Sequence, residues 1–290
     1  LNNYVSSSLY NWSNLKDKKI NNATIELNKL DKRFENLKSI QNVFLNCYYS
    51  SVNTAELFVK LNNNKKTDFS RYNYFHASYV ASSGKNDEAK NIVQSTLKLY
   101  PRNFLLNQYK IDLIKKKNLD AFSCKKENHV VAEILYITAN ALSSQSIYTL
   151  SNFYLNLAKF LNKNFHSFDT LLAENFYKVD NFEKAKKIYT TLLKRGEAFK
   201  WYSTKQLARI FIQEEEKEKA IKLTRSTYED LDNKEVYETF DFAEFLKNHE
   251  KFKESTDYYT AVLNSIKKDH SLYADATEGR GVAYERIGEW

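Results

Sequence analysis

The sequence predicts an all-α protein built as a stack of antiparallel helical hairpins, and three observations carry that prediction. One proline and five glycines in 290 residues leave few of the residues that punctuate structure. Their scarcity favours long helices joined by short polar turns over a sandwich or a doubly wound sheet. Apolar and aromatic residues recur mostly at helical spacing. Finally, a small residue inside an aromatic-rich stretch returns at Ala173, Ala208, Ala243 and Gly281, at intervals of 35, 35 and 38 residues. Another small residue stands twelve positions after each of the first three: Ala185, Ala220 and Ser255. Recurrence near this period marks units that cannot bury their apolar faces alone and do so by stacking.

The elements follow in order. The first 35 residues are polar, with one helix expected over 20–30, where Ile20, Ala23, Ile25, Leu27 and Leu30 only partly keep the helical period. A second is expected over 37–49, with Ile40, Val43, Phe44 and Cys47 at i, i+3, i+4 and i+7. Thr54 is a candidate N-cap for a helix through 61, and the run 62–66 reads as a turn. Helices are expected over 74–81 and 87–99, separated by Gly84; Pro101 closes that unit because proline cannot continue a helix. Another helix is expected over 104–114. The segment 115–128 carries Lys115, Lys116, Lys117, Lys125 and Lys126 without a clean period and reads as a flexible linker or a basic loop. Two strongly apolar helices, 130–142 and 147–161, flank a Ser/Gln turn. From 166 onward each unit has a first helix, a short charged turn and a second helix. The expected organisation is therefore 1–114, degenerate N-terminal repeats with one clearer unit at 70–103; 115–128, a joint; 129–165, a degenerate hairpin; and 166–290, a regular array cut within its last repeat.

Those residues resemble the tetratricopeptide repeat, a helix–turn–helix of 34 residues. Its pattern sets a small residue in the first helix, an aromatic three positions later, then a small residue and an aromatic in the second helix. Ala173 goes with Phe176, Ala185 and Tyr189. Ala208 goes with Phe211 and Ala220, although Thr224 replaces the later aromatic. Ala243 is followed by Leu246, Ser255 and Tyr259, and Gly281 by Tyr284, Gly288 and Trp290. Ala77, Gly84, Ala89, Leu97 and Pro101 match the same scheme. The resemblance implies a right-handed superhelical solenoid whose small residues pack where helices cross, and the closing segment resembles bacterial members of the family.

The resemblance also implies a protein-binding role. First helices of such arrays line a concave groove that receives a peptide, strand or helix from a partner. Carried onto this chain, the groove positions are Thr170, Glu174 and Tyr177; Tyr202, Lys205, Arg209 and Gln213; Tyr237, Phe240, Glu244 and Lys247; and Glu278, Val282 and Glu285. Lys205 and Arg209 resemble half of a clamp for a C-terminal carboxylate. The preceding repeat, however, offers Thr170 and Glu174, and Glu174 would repel such a ligand. Chaperone-tail binding is accordingly not expected.

Composition narrows the rest. The net charge of +8 is uneven: 235–290 holds twelve acidic and seven basic residues, so the remainder carries +13. That asymmetry could steer an acidic partner, but compositional drift explains it equally well. Cys47 and Cys124 are the only cysteines and are expected to be plain thiols. No run reaches the roughly 18 apolar residues of a membrane span. Gly84 and the Gly279/Gly281 pair lack the remainder of any phosphate- or dinucleotide-binding motif. No two of the five histidines stand at i,i+4. A Cys124–His129 thiolate pair would lack an oxyanion donor or third group, and the acidic run at Glu214, Glu215 and Glu216 reads as a solvated turn. The groove residues form no repeating code of the kind RNA readers need. The expectation is a non-catalytic scaffold with a protein or peptide partner, no cofactor or metal, and no nucleic acid or small-molecule substrate. The alternative is the binding arm of a larger enzyme or envelope-assembly factor. The chain begins at Leu1 without methionine and ends at Trp290 inside a motif, so it is read as a fragment of a longer array. Its compartment, cytoplasmic or envelope-associated, stays open.

Overall fold

A computed structural model describes residues 2–15, 19–63, 70–117 and 119–288. The described residues form helices and turns, with no strand among them. They divide into two compact units, 1–188 and 189–290, with the boundary inside one helix.

Unit 1 begins with α1 (Asn2–Ser13), α2 (Ile20–Asn28), a 3-10 turn (Lys32–Phe34), α3 (Glu35–Tyr48) and α4 (Thr54–Asn62). Helix α1 was not expected, because its sequence is largely Asn and Ser. Yet Tyr4, Val5, Ser8, Trp12 and Leu15 are buried at helical spacing. The Trp12 indole donates to Gln41 Oε1 at 2.6 Å, and the Gln41 amide donates to the Tyr4 hydroxyl at 3.1 Å. Thr54 is not a cap: Asn53 holds that place, and the Thr54 hydroxyl donates instead to the Ser51 carbonyl at 2.7 Å. Asn62 and Asn63 close α4, whereas 64–66 of the expected turn lie outside the described residues.

Next come α5 (Ser70–Ser82), α6 (Asn86–Leu99), α7 (Phe104–Lys115), α8 (Glu127–Ser144), α9 (Tyr148–Leu161), α10 (Ser167–Lys178) and α11 (Phe182–Leu192). Helix α5 packs on α6, and α8 on α9. A buried ion pair ties three helices together. Arg71 on α5 donates from Nε and Nη2 to the two carboxylate oxygens of Glu133 on α8, each at 2.8 Å, and from Nη1 to Ser167 Oγ on α10 at 2.6 Å. Its guanidinium also lies 3.8 Å from the centre of the Tyr136 ring. Bidentate, fully hydrogen-bonded geometry is what makes such a charge tolerable in a core.

The joint between α7 and α8 is not a linker. Phe122 and Cys124 are buried, the Ser78 hydroxyl donates to the Phe122 carbonyl at 3.2 Å, and the Asn162 amide donates to the Ala121 carbonyl at 2.9 Å. The cysteines are not plain thiols either. Cys124 is disulfide-bonded to Cys47 of α3, with their Cα atoms 5.8 Å apart across 77 residues. Spacing that wide holds no information on pairing; the packed loop brings the two together.

Unit 2 holds the end of α11 and α12 (Glu197–Gln213), α13 (Lys217–Glu229), α14 (Val236–Asn248), α15 (Phe252–Ser265) and α16 (Tyr273–Ile287). Helix α12 packs on α13, α14 on α15, and α15 on α16.

Five hairpins across the two units share one turn. A single left-handed residue stands between the helices: Gly84, Ser146, Asp180, Glu215 and Glu250, with φ between 55° and 81°. The next residue then donates its N–H five positions back: Lys85 to Val80, Ile147 to Leu142, Asn181 to Phe176, Glu216 to Phe211 and Lys251 to Leu246, at 2.7–3.3 Å. This is the Schellman closure of a helix. Seven residues before each left-handed position stands a buried small residue: Ala77, Ala139, Ala173, Ala208 and Ala243. Twelve residues after it comes a second: Ala89, Ser151, Ala185, Ala220 and Ser255, all fully buried. The α8–α9 hairpin is therefore in register rather than degenerate. Its crossing is marked by the Ser151 hydroxyl donating to the Ala139 carbonyl at 2.7 Å.

Gly281 keeps this register, seven residues before the left-handed Gly288 (φ 74°). It is not a packing residue here, however, because a Cβ at that position would meet nothing within 4 Å. The glycine in close contact on α16 is Gly279, which lies against the Tyr259 ring of α15. A counterpart to Gly281 twelve residues on would fall past the last residue of the chain.

Candidate functional site

The first helices of unit 2, α12, α14 and α16, carry most of the expected groove positions. Their inward sides are fixed by Ala208 on α12, Ala243 on α14, and Ala276, Gly279 and Ala283 on α16, all buried. That leaves the remaining side of each helix to present polar and aromatic side chains.

On α12, Tyr202 is half-buried, with its ring 6.2 Å from that of Tyr189, and Arg209 and Gln213 are exposed. Lys205 donates to Asp241 on α14, so its charge is engaged by the next repeat. On α14, Tyr237 is half-buried and its hydroxyl lies 3.3 Å from Ser271 Oγ. Phe240 does not present a surface. It is 7% exposed and packs with Ala243, Tyr259, Val262, Leu272 and Ala276, because α15 and the start of α16 close over that side of α14. Glu244 accepts from the Tyr259 hydroxyl and from Lys247 at 2.7 Å. Burial, and then the bond to Glu244, push the Tyr259 phenol far above its ordinary range. On α16, Glu278, Val282 and Glu285 are exposed. Tyr177 is half-buried and Thr170 buried on α10 of unit 1, where the Thr170 hydroxyl caps back onto the Ser167 carbonyl at 2.8 Å.

Two of the expected positions, Lys247 and Val282, meet in an open recess of about 380 Å³ lined also by Asn248, Glu250, Phe252 and Arg286. This volume lies within the range of ligand clefts. Two cations and two apolar side chains face it, with one carboxylate. Glu250 is turned toward Lys217 of α13 at 2.5 Å, and that bond holds its carboxyl below the usual range. Lys247 is engaged by Glu244. Arg286 makes no ion pair among the described residues and is exposed, which leaves it as the recess cation with spare hydrogen-bonding capacity. Arg286 and Phe252 were missed in the sequence. Arg286 stands four residues after Val282, on the same helical face, so the i,i+4 rule could have found it; Phe252 follows the left-handed turn, and only the fold brings it near.

Other residues singled out for chemistry are not assembled into a reactive site. Cys124 is in a disulfide, and His129 Nδ1 accepts from the Ser123 N–H at 3.1 Å. Glu215 is the left-handed residue of the α12–α13 turn, with its neighbours in solvent or half-exposed. Among the described residues there is no group of three or more His, Cys, Asp or Glu placed to hold a metal ion. No helix among them is long and apolar enough to cross a membrane.

No protein-family model matches the chain, and no curated protein sequence does. Similar solved structures include a tetratricopeptide repeat protein from Parabacteroides merdae, 9% identical, with a TM-score of 0.38 over 86% of this chain and 98% of that one. Another is the APC/C hetero-tetramer Cut9-Hcn1, 13% identical, with a TM-score of 0.39 over 97% of this chain and 50% of that one. The character of the fold rests on the hairpins themselves. Their shared turn, their paired small residues and the spacing of 34–35 residues between successive hairpins from Ala139 onward make the chain a tetratricopeptide-like helical-repeat protein.

Proposed function

We propose that the protein is a non-catalytic interaction scaffold. In this reading the first-helix side of unit 2, from Tyr202 and Arg209 through Tyr237 to Val282 and Arg286, takes up an extended partner peptide. The observation that supports it most is the recess, where Arg286 stands beside Val282 and Phe252. Such a place suits a peptide carrying a carboxylate next to an apolar side chain, the charge-assisted bond giving direction and the apolar contact giving affinity. Half-buried tyrosines along α12 and α14 extend the same surface, since they offer contact area at little cost in side-chain freedom.

The test is selection of peptides from a displayed random library on the unaltered protein. Binding is then measured for Arg209→Glu/Arg286→Glu, Val282→Asp and the triple Tyr202→Ala/Lys205→Ala/Arg209→Ala variant. Circular dichroism checks that each variant keeps its helices. Selected peptides should share an acidic–apolar pattern and lose at least about tenfold in affinity, roughly 1.4 kcal/mol, on each variant. Equal binding to all of them removes the reading.

A further inference from the structure

We infer that the outer face of α9 is a self-association surface, on which a second copy of the chain seats its own α9 antiparallel. Helix α9 carries two apolar faces. One is Ser151, Leu155 and Ala158, buried against the rest of unit 1. The other is turned to solvent: Ile147 is 44% exposed, Leu150 43%, Phe153 56%, Leu157 39% and Phe160 72%. Ordinary surface helices bury one stripe and turn charge outward, as α13 does with its four lysine and arginine residues. Helix α9 has a single charged residue, Lys159, engaged with Asp169 of α10.

The spacing within the stripe is specific. Leu150, Phe153, Leu157 and Phe160 stand 3, 4 and 3 residues apart, the a/d seam of a two-helix coiled coil, where knobs of one helix enter holes of the other. In an antiparallel pair centred near residue 155, Leu150 faces the second copy's Phe160, and Phe153 faces its Leu157. The five exposed residues present roughly 500 Å² of apolar surface, at the upper end of the largest patch on a typical monomer. Two copies would thus bury about 1,000 Å² from the stripe alone, which reaches the lower limit for a specific interface before any flanking contact is added.

Charge selects the occupant. Thr149, Tyr154, Asn156 and Leu161 flank the stripe and are uncharged, so the face has no means to select a partner of opposite charge. Two copies of a chain of net charge +8 would repel elsewhere but meet no like charges here. Lys163, whose ammonium lies 5.9 Å from the centre of the Phe160 ring, falls at opposite ends of the antiparallel pair. A lipid surface fits less well, because interfacial helices border their apolar face with lysines and arginines.

The experiment is sedimentation equilibrium of the full chain between micromolar and 100 µM. The unaltered protein is expected at twice its 34.1 kDa mass. Phe153→Glu/Leu157→Glu should dimerise at least about thirtyfold more weakly, with unchanged helical circular dichroism because both side chains are exposed. Phe153→Ala/Leu157→Ala serves if the charged pair disturbs the fold. Leu150→Glu and Phe160→Lys on separate copies should each weaken the dimer and restore it when mixed, since the antiparallel register sets the two opposite each other. A monomer at 100 µM overturns the proposal. So does a dimer indifferent to the stripe variants, a mixture that restores nothing, or a monomer that binds anionic phosphatidylglycerol vesicles through the same residues.

Discussion

A methyl group added at Gly279 would stand 2.5 Å from Cζ of Tyr259 and 2.6 Å from its hydroxyl oxygen. The ring has no room to retreat, because Tyr259 is fully buried and its hydroxyl is held by Glu244. Gly279→Ala should therefore cost about 1–3 kcal/mol by overpacking. At Gly281, two residues along the same helix, a methyl group meets open space, and Gly281→Ala should stabilise by up to about 1 kcal/mol through helix propensity. Urea unfolding of the two variants, followed by circular dichroism, separates these signs; a neutral Gly279→Ala would show that the α15–α16 contact is loose. The pair also shows what a sequence conveys about a packing site. Gly281 is legible because the pattern recurs at its position, whereas Gly279 matters through a tyrosine twenty residues away that no local pattern names. Phe240 fails in the other direction, since an aromatic at a groove position says nothing about whether the next helices will cover it.

Helices were legible wherever apolar residues recur at helical spacing, on one face or two, and α3, α6, α7 and α9 end within three residues of their expected bounds. Helix α1 was not, because its buried set includes Ser8 and Asn11 while a tyrosine, Tyr10, is exposed, and its many Asn and Ser residues favour turns when nothing packs on them. The α8–α9 hairpin looked degenerate for a related reason: apolar residues crowd both faces, so Ala139 and Ser151 do not stand out. Non-glycine residues also occupy the left-handed turns, hiding the strongest common feature of the array. The lysines of 115–128 suggest a linker, yet its fixing points are the buried Phe122 and the disulfide-bonded Cys124. Its disulfide to α3 closes a loop spanning 77 residues, which in the chain-entropy treatment stabilises by about 4.5 kcal/mol. Reduction, or Cys47→Ser/Cys124→Ser, should lower the unfolding midpoint of the protein and speed amide hydrogen exchange in α3 and in the 119–126 loop. Unchanged exchange there would mean that packing alone holds the loop.

For the molecule as a whole, the two units differ in what they bury. Unit 1 encloses His76, stacked on Phe58 with ring centres 5.1 Å apart, and His129, whose Nδ1 accepts a backbone N–H. Burial pushes both imidazoles down to about 4 from an ordinary 6.5. Glu88 partly opposes the shift at His76, and Lys126 adds to it at His129. A neutral imidazole in the folded state and a protonated one in the unfolded state mean that the unfolded chain binds more protons between these values. Stability is then fully present above about pH 6.5, falls as pH drops toward 4, and loses no more from these groups below that. Each histidine contributes on the order of 1–3 kcal/mol to the fall. The chain already carries +8, so protonating carboxylates in the same window adds repulsion and steepens the loss. Urea midpoints at pH 7, 5.5 and 4.5 should decline in that order. In His76→Phe/His129→Asn, where a ring still stacks on Phe58 and an amide oxygen still accepts the Ser123 N–H, the decline between pH 6.5 and 4.5 should be visibly shallower. An equal decline in the variant would assign acid sensitivity to the carboxylates alone.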